Sequence, residues 1–509
     1  MPRRHRVILA VLLQLVVCSW PSSAADERLA QKPWVEVSTA HFNFYSCGPI
    51  GGVYKLAGRL EQFCSAYTQL AGAQAVAAPP IVVMVFPDHE SMEPFLPLYQ
   101  GRPISVSALF QHGLDENLIV VSLPPPGSSG MDLSVIFHEY AHFLFRRNDG
   151  VWPLWLKEGM AEVYSTFQTA GRNAWIGVPI EHHLRLLGEQ PLMPLAELFS
   201  VKESSPDYNE QQRQGLFYAE SWLLTHFLMA GDNPQLIARF GQFNTLLHQG
   251  EFPVQAFTNA LQTSLPGMAA QLHRYLLRSQ FRPIDLLVNS NLSAPVATKV
   301  RRLARAEIYF RLGDELMRLG VLDDANYNFV QAQKLAPASP WPEAGLGLLA
   351  DRRGQRDEAV NHLKAAIDRG SDSFLVFYIH AREMYRATGD AQERHTRIEG
   401  PAAAEIRDDL ARSLRLMPDF APAHELLGFF EMVQGDDLAA AGQQLSLAIQ
   451  LEPENRSYLI SLAQLEMQSH DAAAARQTLQ PLLRPNVAAE LRSEAQALMK
   501  QIANSMPAQ

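Results

Sequence analysis

Residues 138–142 read HEYAH, inside the segment MDLSVIFHEYAHFLFRRN. Side chains four residues apart share one face of a helix. His138 and His142 can therefore aim two imidazoles at one point, with Glu139 displaced around the helix and near enough to take a proton from a water held there. That is the physical content of the HExxH zinc motif. Val135, Ile136, Phe143 and Leu144 flank it with apolar side chains, so the helix is expected to be buried. Two histidines and a glutamate facing a dry interior need a partner that offsets their desolvation. Chance can place an HExxH in a chain with 16 histidines, so a third ligand matters. Residues 153–164 read PLWLKEGMAEVY, and Glu158 stands in this second helical stretch. A helix–loop–helix return is short enough to bring it to His138 and His142. Two histidines and one glutamate leave a fourth position open to water, which is the catalytic form of a zinc site. Cys18, Cys47 and Cys64 are too few for a thiolate site.

The elements that must position these residues come in two blocks. WVEVSTAHFNFY (34–45) alternates apolar and polar residues and predicts a strand, and residues 53–71 predict an amphipathic helix. PIVVMVF (80–86) and LIVVSL (118–123) predict short buried strands, with a helix between them near Glu90 to Leu96. From Asp132 onward the pattern predicts helix throughout. The N-terminal part is thus expected to be α+β, a small mixed sheet with helices, HExxH lying on a helix. Residues 282–300 have weak periodicity and two prolines and predict a junction.

Beyond the junction the chain repeats itself. Residues 304–337, 338–371, 419–453 and 454–487 form units with a period of 34 to 35 residues. Each has two helical registers of small and apolar residues around a central turn. The unit over 372–418 is longer, with the excess around His395 to Ala404. This resembles the tetratricopeptide repeat, a helix–turn–helix unit that stacks on its neighbours. Residues 488–503 predict a polar capping helix. The organisation expected is a leader over 1–24, a catalytic-type domain over 25–285, a linker over 286–303, an all-α repeat solenoid over 304–487 and a capping helix over 488–509.

HEYAH followed by WLKEGMAE resembles the gluzincin metallopeptidases, whose second motif is typically W-L-N-E-G-x-A. The nearer resemblance is to the peptidase-MA-like domain, a family of exported bacterial proteins often fused to tetratricopeptide repeats. The W-x-x-x-x-T-x-H-F opening at Trp34 to Phe42 is also similar to that family's first strand. The resemblance covers roughly residues 34 to 275. Fifteen residues separate His142 from Glu158; this is shorter than in the longer gluzincin spacings and implies a trimmed connection. The resemblance implies a zincin-like fold, Zn2+ held by His138, His142 and Glu158, and Glu139 as general base. It implies that Glu162, one turn past Glu158, holds the far nitrogen of His138, a contact that fixes tautomer and orientation. It also implies a donor for the charge that develops on an attacked carbonyl; Tyr218 and then His226, in QGLFYAESWLLTHFL, are the candidates. Tyr140 and Trp155 are read as packing. His41, His89, His112, His182, His183 and His226 do not cluster and show no ligand spacing.

Arg3, Arg4 and Arg6, the apolar run Val7 to Val17 and the small residues Ser22-Ser23-Ala24 have the layout of a secretory leader. The mature chain is expected to be exported, periplasmic or secreted. Leu15-Val16-Val17-Cys18 offers a competing lipid-anchored form, although Val17 stands where a small residue is preferred. In that compartment Cys47 and Cys64 could pair, or Cys64 could sit on an apolar helix face. The formal net charge is −10, with no Lys/Arg-rich block, which argues against nucleic acid and anionic membrane as partners. Two functional readings follow. In the first the chain hydrolyses a peptide or protein substrate, the concave face of the repeats holding substrate or a protein partner. In the second it is an interaction scaffold whose repeats do the work. Retention of Glu139, which metal binding does not need, favours the first. A zinc hydrolase acting on something other than peptides is a third reading.

Overall fold

The computed structural model describes residues 23–71, 81–99, 102–104, 106–111, 113–125, 132–145, 152–171, 173–202, 205, 208, 211–231, 233–278, 280–287, 298–389, 397–453, 455–484 and 487–505. Residues 1–22 of the leader expected over 1–24, with Cys18, and most of the segment 282–300 therefore lie outside the described residues. The chain divides into two compact units, Met1–Leu303 and Ala304–Gln509. Among the described residues no helix is long and apolar enough to cross a membrane.

The first unit is built on a six-stranded mixed sheet. Its strands are β1 (Val35–Ser38), β2 (Phe42–Ser46), β3 (Ile81–Phe86), β6 (Ala108–Gln111), β7 (Leu118–Ser122) and β11 (Lys299–Arg302), in the order β11-β1-β2-β3-β7-β6. The central β2–β3 and β3–β7 pairs are parallel, and the outer pairs are antiparallel. β3 and β7 are buried at every residue, as expected of strands covered on both faces. The single strand expected over 34–45 is a hairpin. Thr39 closes it by exchanging hydrogen bonds with Phe42, and the alternation simply continues across the turn. A short two-stranded ribbon, β4 (Leu98–Tyr99) with β5 (Arg102–Pro103), lies in the connection before β6.

Helix α2 (Ile50–Ala71) crosses between β2 and β3. Its buried face, with Leu56, Leu60 and Phe63, packs into the same core as Phe42, Phe44 and Val83. The HEYAH segment lies on α4 (Ser134–Phe145) and WLKEGMAE on α5 (Leu154–Ser165). The expectation of helix throughout after Asp132 is corrected by a second sheet. There β8 (Gln168–Ala170) and β9 (Asn173–Ile176) form a hairpin and β10 (Ile284–Leu287) pairs with β9. These strands are too short for periodicity to reveal them. Helices α8 (Gln211–Ala230), α9 (Pro234–His248), α10 (Pro253–Leu261) and α11 (Leu265–Leu277) complete the unit.

The linker expected over 286–303 is corrected too. Its ends are β10 and β11, and β11 pairs with β1 residue by residue from Val35↔Arg302 to Ser38↔Lys299. Leu303 N–H then donates to the Trp34 carbonyl. KVRR is exposed at all four positions, so it reads as loop in sequence although it is a charged edge strand, a common way to blunt a sheet edge. Cys47 and Cys64 are both free. Cys64 is buried and accepts a hydrogen bond from the Tyr140 hydroxyl.

The second unit is a helical solenoid of tetratricopeptide type. Five antiparallel pairs follow one another: α12 (Arg305–Arg318) with α13 (Leu322–Leu335), α14 (Pro340–Arg352) with α15 (Arg356–Asp368), α16 (Phe374–Ala387) with α17 (Pro401–Leu416), α18 (Ala421–Gln434) with α19 (Leu438–Leu451), and α20 (Tyr458–Gln468) with α21 (Ala472–Leu479). The long connection before Pro401 is where the third unit exceeds its neighbours; residues 390–396 of it lie outside the described residues. Small residues at the repeat positions let paired helices approach. A Cβ on Gly428 would stand 2.8 Å from Leu445 and 2.9 Å from the Ala441 carbonyl, which a well-packed core does not admit. Between pairs, Ala359, Leu363, Ile379, Ile406, Leu410 and Phe430 run through one continuous core. The last helix, α22 (Ala489–Ser505), covers Leu479 and Leu482 with Ala495, Leu498 and Ile502, which is what a terminal repeat requires.

Candidate metal centre

Helix α4 begins where the Asp132 carboxylate accepts from the Ser134 N–H and hydroxyl. Its apolar side chains hold it against the sheet and α2. Phe137 stacks on Phe63 with ring centroids 4.7 Å apart, and Tyr140 meets Phe42 and Phe63 edge-on or tilted. With Ile136, Phe137, Tyr140 and Phe143 committed to the core, the face carrying His138 and His142 turns toward α5. Helix α5 is itself held from behind. Trp155 is fully buried against Phe199, Phe243 and Phe257. On its other flank Gly159 lets α5 meet α8 almost backbone to backbone. A Cβ there would stand 2.1 Å from Thr225 Oγ1 and 2.3 Å from the Ser221 carbonyl oxygen. Glu158, beside this glycine, and Glu162, one turn on, are thereby presented to α4.

Three donor atoms converge. His138 Nε2 and His142 Nε2 are 3.1 Å apart, and Glu158 Oε2 lies 3.4 Å from the first and 3.3 Å from the second. Metal bonds of about 2.0–2.1 Å to nitrogen and oxygen in a tetrahedral site make ligand-to-ligand edges of about 3.3 Å. The triangle therefore fits a zinc-sized ion. Glu158 Oε2 is buried and has no hydrogen bond of its own, a costly condition for a carboxylate oxygen unless a cation meets it. Burial works against charge on Glu158, yet His142 and His138 outweigh it and hold its carboxyl at about 2. Among the described residues the ion-pair partners of Glu158 and Glu162 are histidines, so these carboxylates favour positive charge in the pocket. Among the described residues, His138, His142 and Glu158 are the one trio of His, Cys, Asp or Glu side chains with metal-holding geometry. His138 and Glu158 are buried, whereas the His142 side chain is 23% exposed, so the site opens on the His142 side. Glu139 is half-buried on the same helix.

Around this trio the structure brings together some expected residues and some unexpected ones. Glu162 Oε1 lies 3.3 Å from His138 Nδ1, within charge contact though off hydrogen-bond alignment. Its other oxygen, Oε2, lies 3.1 Å from His183 Nε2. His183, on α6 (Glu181–Glu189), is thus joined to the site, which corrects the reading of it as unclustered. Burial opposes charge on Glu162, and His183 and His138 overcome it, holding its carboxyl well below the usual range. Tyr208, unmarked in the sequence reading, donates its hydroxyl to Glu158 Oε1 at 3.2 Å. Tyr218, on α8, is buried with its ring 6.1 Å from that of His138 and 6.0 Å from that of Tyr208. Burial and then the charge of Glu158 raise its pKa well above the ordinary value. It therefore stays a neutral O–H donor.

His226 is not at the site. Its Nδ1 lies 2.8 Å from the Tyr275 hydroxyl and its Nε2 2.9 Å from the Gly177 carbonyl. Both ring nitrogens are engaged, and burial lowers its pKa to about 4. It serves as a neutral tie between α8, α11 and the Gly177 turn, which removes it from the donor candidates. Tyr140 and Trp155 pack in the core. His41 pairs with Glu61 at 2.7 Å, away from the trio's contacts. A buried helix face in EHHLRLLGE was the one local signal for His183; Tyr208 carried none.

Comparison with known proteins adds the following. A family model described as "Protein of unknown function (DUF1570)" matches residues 132–246, which hold both α4 and α5. No curated protein matches the chain. Among solved structures, YrrB, described as a TPR protein with an unusual peptide-binding site, is similar at 15% identity. That match covers 38% of this chain and 92% of YrrB, with a TM-score of 0.32. TTC0263 of Thermus thermophilus, described as a thermophilic TPR protein, shares 21% identity over 38% of this chain and 99% of its own, with a TM-score of 0.29. PilF of Pseudomonas aeruginosa shares 17% identity over 40% of this chain and 93% of its own, with a TM-score of 0.30.

Proposed function

We propose that the first unit is a zinc-dependent hydrolase of peptide bonds, and that the repeat unit holds its substrate or a protein partner. The observation that carries the hydrolase reading is the triangle of His138 Nε2, His142 Nε2 and Glu158 Oε2, with edges of 3.1–3.4 Å. His138, His142 and Glu158 would hold the ion, and the His142 side chain is the exposed member of the three. Zinc bound by two histidines and a glutamate lowers the pKa of a water toward neutrality and polarises a carbonyl. Glu139 is the general base: its carboxylate takes the proton of the attacking water and delivers it to the leaving amine. The Tyr218 hydroxyl, kept protonated by burial, donates to the oxygen on which charge develops. Export of the mature chain is part of the same proposal and rests on the leader-like opening.

A second reading has its own support. The repeat unit has a fold that works through protein contacts, whereas the matched family model carries no assigned activity and lends hydrolysis nothing. On this reading the chain is an interaction scaffold and the metal centre only stabilises its first unit.

The test is zinc per chain on the purified protein beside a His142→Ala control, followed by peptide hydrolysis. One zinc in the wild type, little in the variant and zinc-dependent cleavage support the hydrolase. One zinc with no cleavage of any peptide library moves the case to the scaffold. No zinc after supply of the metal sinks the metal centre.

A further inference from the structure

We propose that Tyr208 and His183 are positioning residues for the candidate metal centre, each acting through one carboxylate; this rests on the zinc reading above. Carboxylates bind metals through one oxygen or through both, and the choice sets how many positions remain for water and substrate. Glu158 has its two oxygens in different surroundings. Oε1 accepts the Tyr208 hydroxyl at 3.2 Å, while Oε2 makes no hydrogen bond and faces His138 and His142 at 3.4 and 3.3 Å. Tyr208 therefore occupies one oxygen and leaves the other, making Glu158 a one-oxygen ligand. A phenol suits this role because it gives a single hydrogen bond and brings no competing charge.

The second arm works on His138. For Nε2 to bind a metal, the proton of the neutral ring must sit on Nδ1. Nδ1 faces Glu162 Oε1 at 3.3 Å. That carboxylate would be free to rotate if its other oxygen were unheld. Oε2 instead takes His183 Nε2 at 3.1 Å, with both side chains buried. His183 thus fixes the plane of Glu162, and the Glu162 carboxylate, in charge contact with His138 Nδ1, favours the proton on that nitrogen and leaves Nε2 for the metal. Tyr208 lies fifty positions from Glu158 and His183 forty-five from His138, so neither belongs to the HExxH or WLKEG segments.

The experiment uses the full-length chain, with zinc affinity measured by competition with a chromophoric chelator and the visible spectrum of the Co2+-loaded protein as a geometric signature. Tyr208→Phe and His183→Leu are each expected to weaken zinc binding 10- to 100-fold, the usual effect of losing a partner of a metal ligand. Both should also change the cobalt spectrum. His183→Gln, which restores a donor toward Glu162, should recover most of the affinity. Tyr208→Phe removes one oxygen from an otherwise unchanged ring, so it tests the proposal even if His183→Leu fails to fold. Wild-type protein that binds zinc, with variants equal to it in affinity and cobalt spectrum, overturns the positioning roles and leaves the zinc reading standing. Wild-type protein that binds neither metal overturns both.

Discussion

Gly159→Ala adds one methyl group at the crossing of α5 and α8, and two opposed effects decide its outcome. Alanine is the better helix former by about 1 kcal/mol, so at an open position the change would stabilise. Here the new Cβ would stand 2.3 Å from the Ser221 carbonyl oxygen and 2.1 Å from Thr225 Oγ1, against an ordinary contact of 3.4 Å or more. Thr225 can rotate, but a backbone carbonyl in a helix cannot, so α5 must withdraw by about 1 Å. Overpacking of this kind costs about 1–3 kcal/mol, occasionally more. Contacts of 2.1–2.3 Å belong to the upper part of that range, about 2–3 kcal/mol, so the clash outweighs the propensity gain, for a net loss of about 1–2 kcal/mol and a Tm about 2–8 °C lower. The same withdrawal carries Glu158 with it. Metal–ligand distances tolerate only about 0.2 Å, so zinc affinity should fall at least about tenfold. Thermal unfolding followed by tryptophan fluorescence is the natural assay, since, besides Trp20 in the expected leader, Trp34, Trp152, Trp155, Trp175 and Trp222 lie in the first unit and Trp341 alone in the second. A Tm equal to or above wild type, with zinc affinity unchanged, would refute the close crossing and the positioning of Glu158 derived from it.

Glu139→Gln should retain zinc and lower the rate of hydrolysis by about 10²–10⁴, the range for a general base; a variant that cleaves at the wild-type rate removes Glu139 from the mechanism. Glu220, buried on α8 and accepting from the Met193 N–H, has its carboxyl raised from 4.5 to about 8, chiefly by burial. Between those values the folded chain keeps a proton that the unfolded chain has lost. Stability should therefore fall as pH rises through that window, by at most about 1.4 kcal/mol per pH unit, and level off above it. Urea denaturation of Glu220→Gln at pH 6, 7 and 8 should show a shallower fall than wild type, and parallel slopes would contradict the buried acid. A fragment over 25–303 should fold and bind zinc, whereas one over 25–298, lacking β11, leaves β1 as an open edge and should be less stable or aggregate; equal solubility and Tm would mean that β11 contributes nothing.

What the sequence determined by itself is what depends on near neighbours along the chain. The i,i+4 spacing of His138 and His142 needs only a helix, and the flanking apolar residues supply one. The repeat units are legible for the same reason: each pair of helices answers to a local period, and each contacts chiefly the next. The strands β3 and β7 announce themselves as short runs of Ile, Val and Leu. The tertiary structure decided everything that depends on distant partners. Residues 168–170, 173–176 and 299–302 are strands through their pairing with one another, with β10 and with β1, which no alternation within three or four residues can signal. His183 and His226 are alike in sequence in that neither stands at a ligand spacing from another histidine or acid of the motif segments. Packing joins the first to Glu162 and commits both nitrogens of the second to Tyr275 and Gly177. Tyr208 reaches Glu158 across a separation that no spacing rule covers. Local geometry could name the atoms able to meet a metal; only the folded chain, by burying them and choosing their hydrogen-bond partners, sets which oxygen and which nitrogen are left to do so.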